Sequence, residues 1–318
     1  MSVEVSIIIP IKDETDQFIG KCLESLEKQK YGGSFEILVV KGGNRAQARN
    51  FGIRMAKGEI IAFIDSDCVA PDNWLSSLVS SLKRDKTLGG VGGINFSPPD
   101  GTYLSKAIDF VFSSFLGSLG SASLYTPSKP RFVNALACIN SAFWRKILEE
   151  IGGFDEEFEL CEDTNLSYKV RRKGYKLLLD SRIFVWHYRR DTLRGFAKQF
   201  FAYGKGRMQS ILTGREYASK SIIVPFIGAL ILPLFAWLLP LLFIASFSVY
   251  FTVIFVKGFQ GAIMAKRWRF VILIPLLFII EHLSYFFGLI YGVFRGRWKR
   301  KEEKCEVFYH AVVQKAAR

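Results

Sequence analysis

Two long apolar runs constrain this chain more than any other feature. From Ser221 to Val256 the only ionisable side chain is Tyr250, and from Phe270 to Phe294 only Glu281 and His282 interrupt a second run. Each exceeds the roughly 20 residues that a helix needs to cross hydrocarbon, so both are read as membrane-spanning. Pro233 and Pro240 break the first run, which is therefore either a tight hairpin of short helices or one kinked span. Glu281 and His282 are costly in lipid and are expected to face protein. The start of the chain, MSVEVSIIIPIKDE, has no basic segment before its short apolar stretch; it reads as a buried strand, not a signal peptide.

Composition narrows the partner. Lys and Arg number 43 against 29 Asp and Glu, a net charge of +14, yet half of the 318 residues are hydrophobic. Disorder, collagen and small disulfide scaffolds are excluded. With so much apolar residue, an anionic membrane surface or a phosphorylated substrate is a better match to the charge than nucleic acid. The five cysteines are odd in number and contain no C-x-x-C pair, which suits reduced thiols and argues against a zinc site.

Before the apolar runs, strand and helix signals alternate. Val3–Ile9, Phe35–Val40 and Ile60–Ile64 are continuous apolar strands, with helical spacing over Asp16–Lys30 and Ala46–Ala56 between them. This predicts an α/β fold with a mostly parallel sheet covered on both faces, whose ligand lies at the strand carboxyl ends. Further elements are a helix over Asp72–Arg84, strands over Leu88–Ile94 and Phe132–Asn140, a helix over Phe143–Ile151, and strands near Lys176–Leu179 and Ile183–Trp186. The pattern after Thr192 predicts an amphipathic helix at a membrane interface, with Leu193, Phe196, Ala197, Phe200 and Phe201 on one stripe.

Three groups carry chemistry. Asp65-Ser66-Asp67 follows the third strand, where paired carboxylates suit Mg²⁺ or Mn²⁺ bridging a diphosphate, or alternatively a solvated turn. Glu162-Asp163 opens a helix after Gly152-Gly153-Phe154-Asp155; Asp163 is either a general base toward an acceptor hydroxyl or a helix cap. His187 is either a metal ligand completing the shell begun by Asp67 or a structural hydrogen-bonding residue.

In this order and spacing, VSIIIPIKDE, DSDC, GGFDEEF, CEDTNLSYKVRRKGYK and QFFAYGKGR resemble family 2 glycosyltransferases of the GT-A fold, in particular membrane-bound members that build surface polysaccharides or lipid-linked glycans. The resemblance implies nucleotide contacts at Pro10, Lys12, Glu14 and Asp65, a metal on Asp67, and a general base at Asp163 with Glu162 beside it. It implies an acceptor-side turn at Gly152 and Gly153. Gln199, Tyr203, Lys205 and Arg207 stand where related synthases carry a diphosphate-clamping Q-x-x-R-W motif. Two departures matter. The acidic turn usual after the second strand is replaced by Lys41-Gly42-Gly43-Asn44, with Arg49 expected to take part of the phosphate contact. The tryptophan of Q-x-x-R-W is missing, which points to transfer of a single sugar.

The resulting expectation is a GT-A catalytic domain over residues 1–191, an interface helix and linker over 192–220, transmembrane helices over 221–294 and a basic cytoplasmic tail over 295–318. Arg295, Arg297, Lys299, Arg300, Lys301 and Lys304 put that tail on the cytoplasmic side with the catalytic domain, which requires an even number of crossings. The expected activity is metal-dependent, inverting transfer from a nucleotide-sugar donor to a lipid-linked or cell-surface glycan. A polyprenyl-phosphate sugar synthase and a catalytically silent membrane scaffold are the competing readings.

Overall fold

The computed structural model describes residues 3–118, 129–189, 191–214, 236–294 and 303–313, with Ile227 and Ile231. Chain order begins with β1 (Val5–Ile11), α1 (Ile19–Glu27), β2 (Phe35–Lys41), α2 (Arg45–Met55) and β3 (Ile60–Ile64). Then come β4 (Cys68–Val69), α3 (Trp74–Lys83), β5 (Leu88–Phe96), α4 (Tyr103–Phe112) and α5 (Phe115–Ser118). β6 (Arg131–Phe132), β7 (Asn140–Trp144), α6 (Arg145–Glu150), α7 (Glu162–Arg172) and β8 (Lys176–His187) follow. The remaining elements are α8 (Leu193–Leu212), α9 (Pro240–Ala265), α10 (Phe270–Phe294) and β9 (Glu306–Val313).

Two units emerge: Met1–Pro98 with Ser121–Arg189 and Trp298–Arg318, and Pro99–Gly120 with Arg190–Arg297. The first unit is built on one sheet in the order β4-β8-β5-β7-β3-β1-β2-β9, with β6 joined to β8. β1 runs parallel to both β2 and β3, and β5 parallel to β8. β7, β4, β6 and β9 join antiparallel, so the expected parallel core is present within a mixed sheet. Its apolar strands are buried because both faces are covered. Cys22 and Leu26 of α1 pack on one face, and Ala46, Ala48 and Ile53 of α2 on the other. The chain passes right from β1 to β2 and then left to β3, so the order reverses at β1; in open α/β sheets such a switch point is where the ligand crevice lies, outside the strand carboxyl ends.

Three sequence expectations shift in detail. The strand expected over Phe132–Asn140 lies later, at β7, because Asn140 is anchored in the core: its Oδ1 accepts from Trp74 Nε1 at 2.8 Å and its amide donates to the Ile94 carbonyl at 2.9 Å. The two short strands expected near residue 180 are the single strand β8. Part of the expected basic tail is a strand. β9 adds to the outer edge of β2, with Lys41 opposite Glu306 and Phe35 opposite Val313. Its alternating pattern turns Tyr309 and Val313 onto the core.

A buried polar knot ties that edge together. Glu36 on β2 has no solvent exposure. It accepts from the Ser6 hydroxyl and the Lys57 amide, both at 2.6 Å, and lies 2.8 Å from His310 Nε2 on β9. Burial opposes its charge, but the Ser6 hydroxyl, the Lys57 amide and His310 prevail and hold the carboxyl below its ordinary value.

The second unit is helical. Phe196 and Phe200 of α8, expected to face a membrane interface, pack against Phe112 of α4. α8 and α10 approach through glycines: a Cβ on Gly204 would lie 2.1 Å from the Tyr285 carbonyl oxygen, and one on Gly288 2.1 Å from that of Phe201. α9 and α10 are each long and apolar enough to cross a bilayer. Much of the apolar surface of α9 is exposed, including Leu241 and Met264. His282 is held within this unit by the Tyr250 hydroxyl at 2.9 Å and the Leu116 carbonyl at 3.1 Å, and Glu281 is buried, as expected for polar groups in such a helix. Residues 215–226, 228–230 and 232–235 of the first apolar run, and the cations from Arg295 to Lys301, lie outside the described residues.

Glu36→Gln tests the knot. A depressed carboxylate pKa contributes stability that is present above its ordinary value of 4.5 and lost as pH falls through the lowered native value. The melting temperature of the wild type is therefore expected to exceed that of the variant at pH 7, with the gap closing below about pH 4. Thermal melts across pH 3–7 measure it.

Candidate active site

The carboxyl ends of β1 and β3 flank the crevice, and the acidic motifs gather there. β3 ends at Ile64 and delivers Asp65, Ser66 and Asp67. The Ser66 hydroxyl donates to Asp16 beyond β1, and the Cys68 amide to the Asp65 carbonyl at 3.1 Å, so the turn is fixed at both ends.

Asp67 and His187 meet because β4 pairs with the end of β8, with Cys68 directly opposite His187. His187 Nε2 lies 3.3 Å from Asp67 Oδ2, and the donor atoms of Asp67, Cys68 and His187 all lie within 4.8 Å of one another. Burial disfavours charge on Asp67, but His187 outweighs it and holds the carboxyl below its ordinary value. Burial pushes the Cys68 thiol well up, and a hard divalent cation prefers oxygen and imidazole donors to sulfur. The usable donors are thus one carboxylate and one imidazole, a set that accommodates Mn²⁺ or Mg²⁺ and leaves positions for phosphate oxygens. Arg189 stands behind His187, its Nη1 3.4 Å from Nδ1, and donates through Nη2 to Asn95 Oδ1 at 2.6 Å.

The second cluster is organised by Arg49. Resemblance assigned this residue to phosphate, but its side chain is only 2% exposed. Nη2 donates to Asp65 Oδ1 at 2.9 Å and Nη1 to Glu162 Oε1 at 2.7 Å, while the guanidinium lies over Phe63 and Phe154. Sequestered from solvent and engaged with two carboxylates, it joins the motif after β3 to the start of α7. Glu162 is consequently a buried partner of Arg49. Asp163, next to it in the first turn of α7, is only half-buried and accepts from the Thr164 amide at 2.7 Å. Cys161, before that helix, adopts φ +65°, a left-handed conformation that non-glycine residues seldom take.

Other expected residues fall as follows. Pro10 is buried inside β1 opposite Val40, while Lys12 and Glu14 are exposed just beyond that strand. Gly152 and Gly153 form a left-handed turn whose following residue, Phe154, is gripped by Asn50: its amide donates to Asn50 Oδ1 at 2.8 Å and its carbonyl accepts from Asn50 Nδ2 at 2.9 Å. Lys205 and Arg207 lie on α8 in the second unit. Asn50, Arg189 and Asn95 were not anticipated. Asn50 sits next to Arg49 in a recognisable segment, but Arg189 and Asn95 are 94 residues apart in sequence and had no local signal.

Comparison with known proteins bears on the fold and the enzyme class. The sequence model of the family described as Glycosyl transferase family 2 matches residues 41–152. That match, with the relatives below, supports a family 2 glycosyltransferase. It is 26% identical over 234 residues to glycosyltransferase AglE of Haloferax volcanii, covering 64% of this chain and 73% of that protein. It is 24% identical to dolichyl N-acetyl-α-D-glucosaminyl phosphate 3-β-D-2,3-diacetamido-2,3-dideoxy-β-D-glucuronosyltransferase of Methanococcus voltae, covering 92% of this chain and 98% of that one. Among solved structures it resembles the mannosyltransferase PcManGT of Pyrobaculum calidifontis, solved with GDP-Man and Mn²⁺. That likeness has a TM-score of 0.58 and 16% identity, covers 92% of this chain and 88% of that one, and bears on the fold. The GT-A fold expected from sequence is the fold observed.

Arg49→Ala leaves buried Glu162 and partly buried Asp65 without their counter-ion. Breaking a buried pair costs about 3–5 kcal/mol, so this glycosyltransferase variant should unfold at much lower denaturant than wild type. Chemical denaturation followed by tryptophan fluorescence reads the difference.

Proposed function

We propose that this enzyme is a membrane-bound, inverting glycosyltransferase that moves one sugar from a nucleotide-sugar donor to a lipid-linked or cell-surface glycan hydroxyl. The observation that carries the reading is the Arg49 bridge, which connects Asp65 to Glu162 and so fixes the start of α7 relative to the turn after β3. Asp163 then has the character a general base needs: it is adjacent to the fixed Glu162, and half-open to an acceptor. Its carboxylate takes the acceptor hydroxyl proton as that oxygen attacks the anomeric carbon from the face opposite the departing diphosphate. Asp67 and His187 would hold Mg²⁺ or Mn²⁺, which supplies positive charge to the leaving nucleoside diphosphate. The printed name of the Methanococcus voltae relative, with a dolichyl-linked sugar phosphate as acceptor, supports a lipid-linked acceptor. Mn²⁺ and GDP-Man in the Pyrobaculum calidifontis enzyme support the donor class.

Membrane attachment is supported by the apolar surfaces of α9 and α10. β9 belongs to the same sheet as β1, so both lie on one side of any bilayer and the chain between them crosses an even number of times. α9 and α10 account for two such crossings. By the positive-inside rule the cations of residues 295–301 support the cytoplasm for that side. A second reading comes from the link between the helices, where Lys266, Arg267 and Arg269 are also basic: a hairpin lying in the interface would keep them on the cytoplasmic side.

Two measurements test these readings. Asp163→Asn should bind donor and metal as wild type does but lose turnover by at least about 100-fold; undiminished turnover favours a lipid-phosphate acceptor, which needs no base. Cysteines introduced at Trp268 and Val312 should react with an impermeant thiol reagent from opposite sides of a sealed vesicle. Labelling from one side indicates the interfacial hairpin.

A further inference from the structure

The strand carboxyl ends that receive the donor include a segment contributed from beyond the helical unit. β9 is antiparallel to β2, so its first residues, not its last, lie at the carboxyl end of β2. Lys41, the final residue of β2, ties three strand ends together there. Its ammonium lies 2.7 Å from Glu14 Oε1, just beyond β1, and 2.8 Å from Glu306 Oε1, at the start of β9. The turn after β2 is shaped to admit this segment. Gly42 has φ +95°, and a Cβ on it would lie 2.2 Å from the Lys304 carbonyl oxygen, so no other residue fits. The Cys305 thiol donates to the Gly42 carbonyl at 3.3 Å.

Strand polarity gives this cluster a role. The metal-binding carboxylate follows β3, and the order of strand ends away from it is β1, β2 and β9. At about 4.8 Å per strand, β2 lies roughly 10 Å from β3 and β9 roughly 14 Å. A donor whose diphosphate sits at the end of β3 and which lies along the crevice toward β2 brings its nucleoside to Lys41, Glu14 and Glu306. The Glu306 carboxylate is 65% exposed despite its ion pair, leaving it able to accept from ribose hydroxyls or base N–H groups.

We propose that Glu306, held by Lys41 and seated by Gly42, is a nucleoside-recognising residue of the donor site, so that the chain beyond the membrane hairpin sets donor selectivity. This rests on the nucleotide-sugar reading above. Its test is calorimetric binding of UDP, GDP and inorganic pyrophosphate, each with Mn²⁺, to the full-length detergent-purified enzyme and to Glu306→Gln. The variant should bind the preferred nucleoside diphosphate about 5- to 10-fold more weakly, keep wild-type affinity for pyrophosphate and alter the UDP-to-GDP preference. Glu306→Asp should recover part of the loss. Unchanged nucleotide affinity and preference overturn the proposal alone, as does an equal loss for pyrophosphate, which would mark a purely structural role. Wild-type enzyme that binds pyrophosphate but neither nucleotide overturns this proposal together with the nucleotide-sugar reading.

Discussion

Arg49 carries a permanent charge out of solvent, and such a charge is tolerable only where fixed carboxylates surround it. Asp65 and Glu162 meet that requirement, and in doing so each acquires a fixed place. The dependence runs both ways. The guanidinium needs the turn after β3 and the first turn of α7 to converge, and those two segments, otherwise distant in sequence, have a strong electrostatic reason to do so. Asn50, the next residue, extends the same logic by gripping Phe154 beyond the Gly152-Gly153 turn. One stretch of α2 thus organises the acidic ends of two other elements, with Asp163 half-buried beside the fully engaged Glu162.

The sheet meets a different demand at its other side. An edge strand with unpaired amides and carbonyls invites association with another chain, and β2 would be such an edge without β9. Glu36 adds a directional lock, since its two oxygens are matched by Ser6 and Lys57 on one side and His310 on the other. A buried carboxylate with that many partners strongly favours one register over its slipped alternatives.

Much of this was legible in sequence, for identifiable reasons. The runs before Pro10, Lys41 and Asp65 are short and, apart from Ser6 and Glu36, apolar, which is what strands buried on both faces require. The D-x-D and Glu-Asp motifs were readable because their position relative to those elements is local. Arg49 was assigned to phosphate because a basic residue near a diphosphate site is an ordinary pairing; that it faces two carboxylates depends on contacts 16 and 113 residues away. β9 has clear alternation in EVFYHAVV, but the neighbouring cations dominated that segment's reading. Its partner lies more than 260 residues back, and no local pattern encodes that pairing.

The return of β9 has a consequence for biosynthesis. Residues 306–313 leave the ribosome only after both apolar helices have been made, so the sheet spends that interval with β2 uncovered and Lys41 lacking one of its two acidic partners. A chain interrupted anywhere in those two helices would retain Asp65, Asp67, Glu162 and Asp163, yet expose a raw sheet edge. Completion of the sheet is thereby made contingent on prior synthesis of both apolar helices.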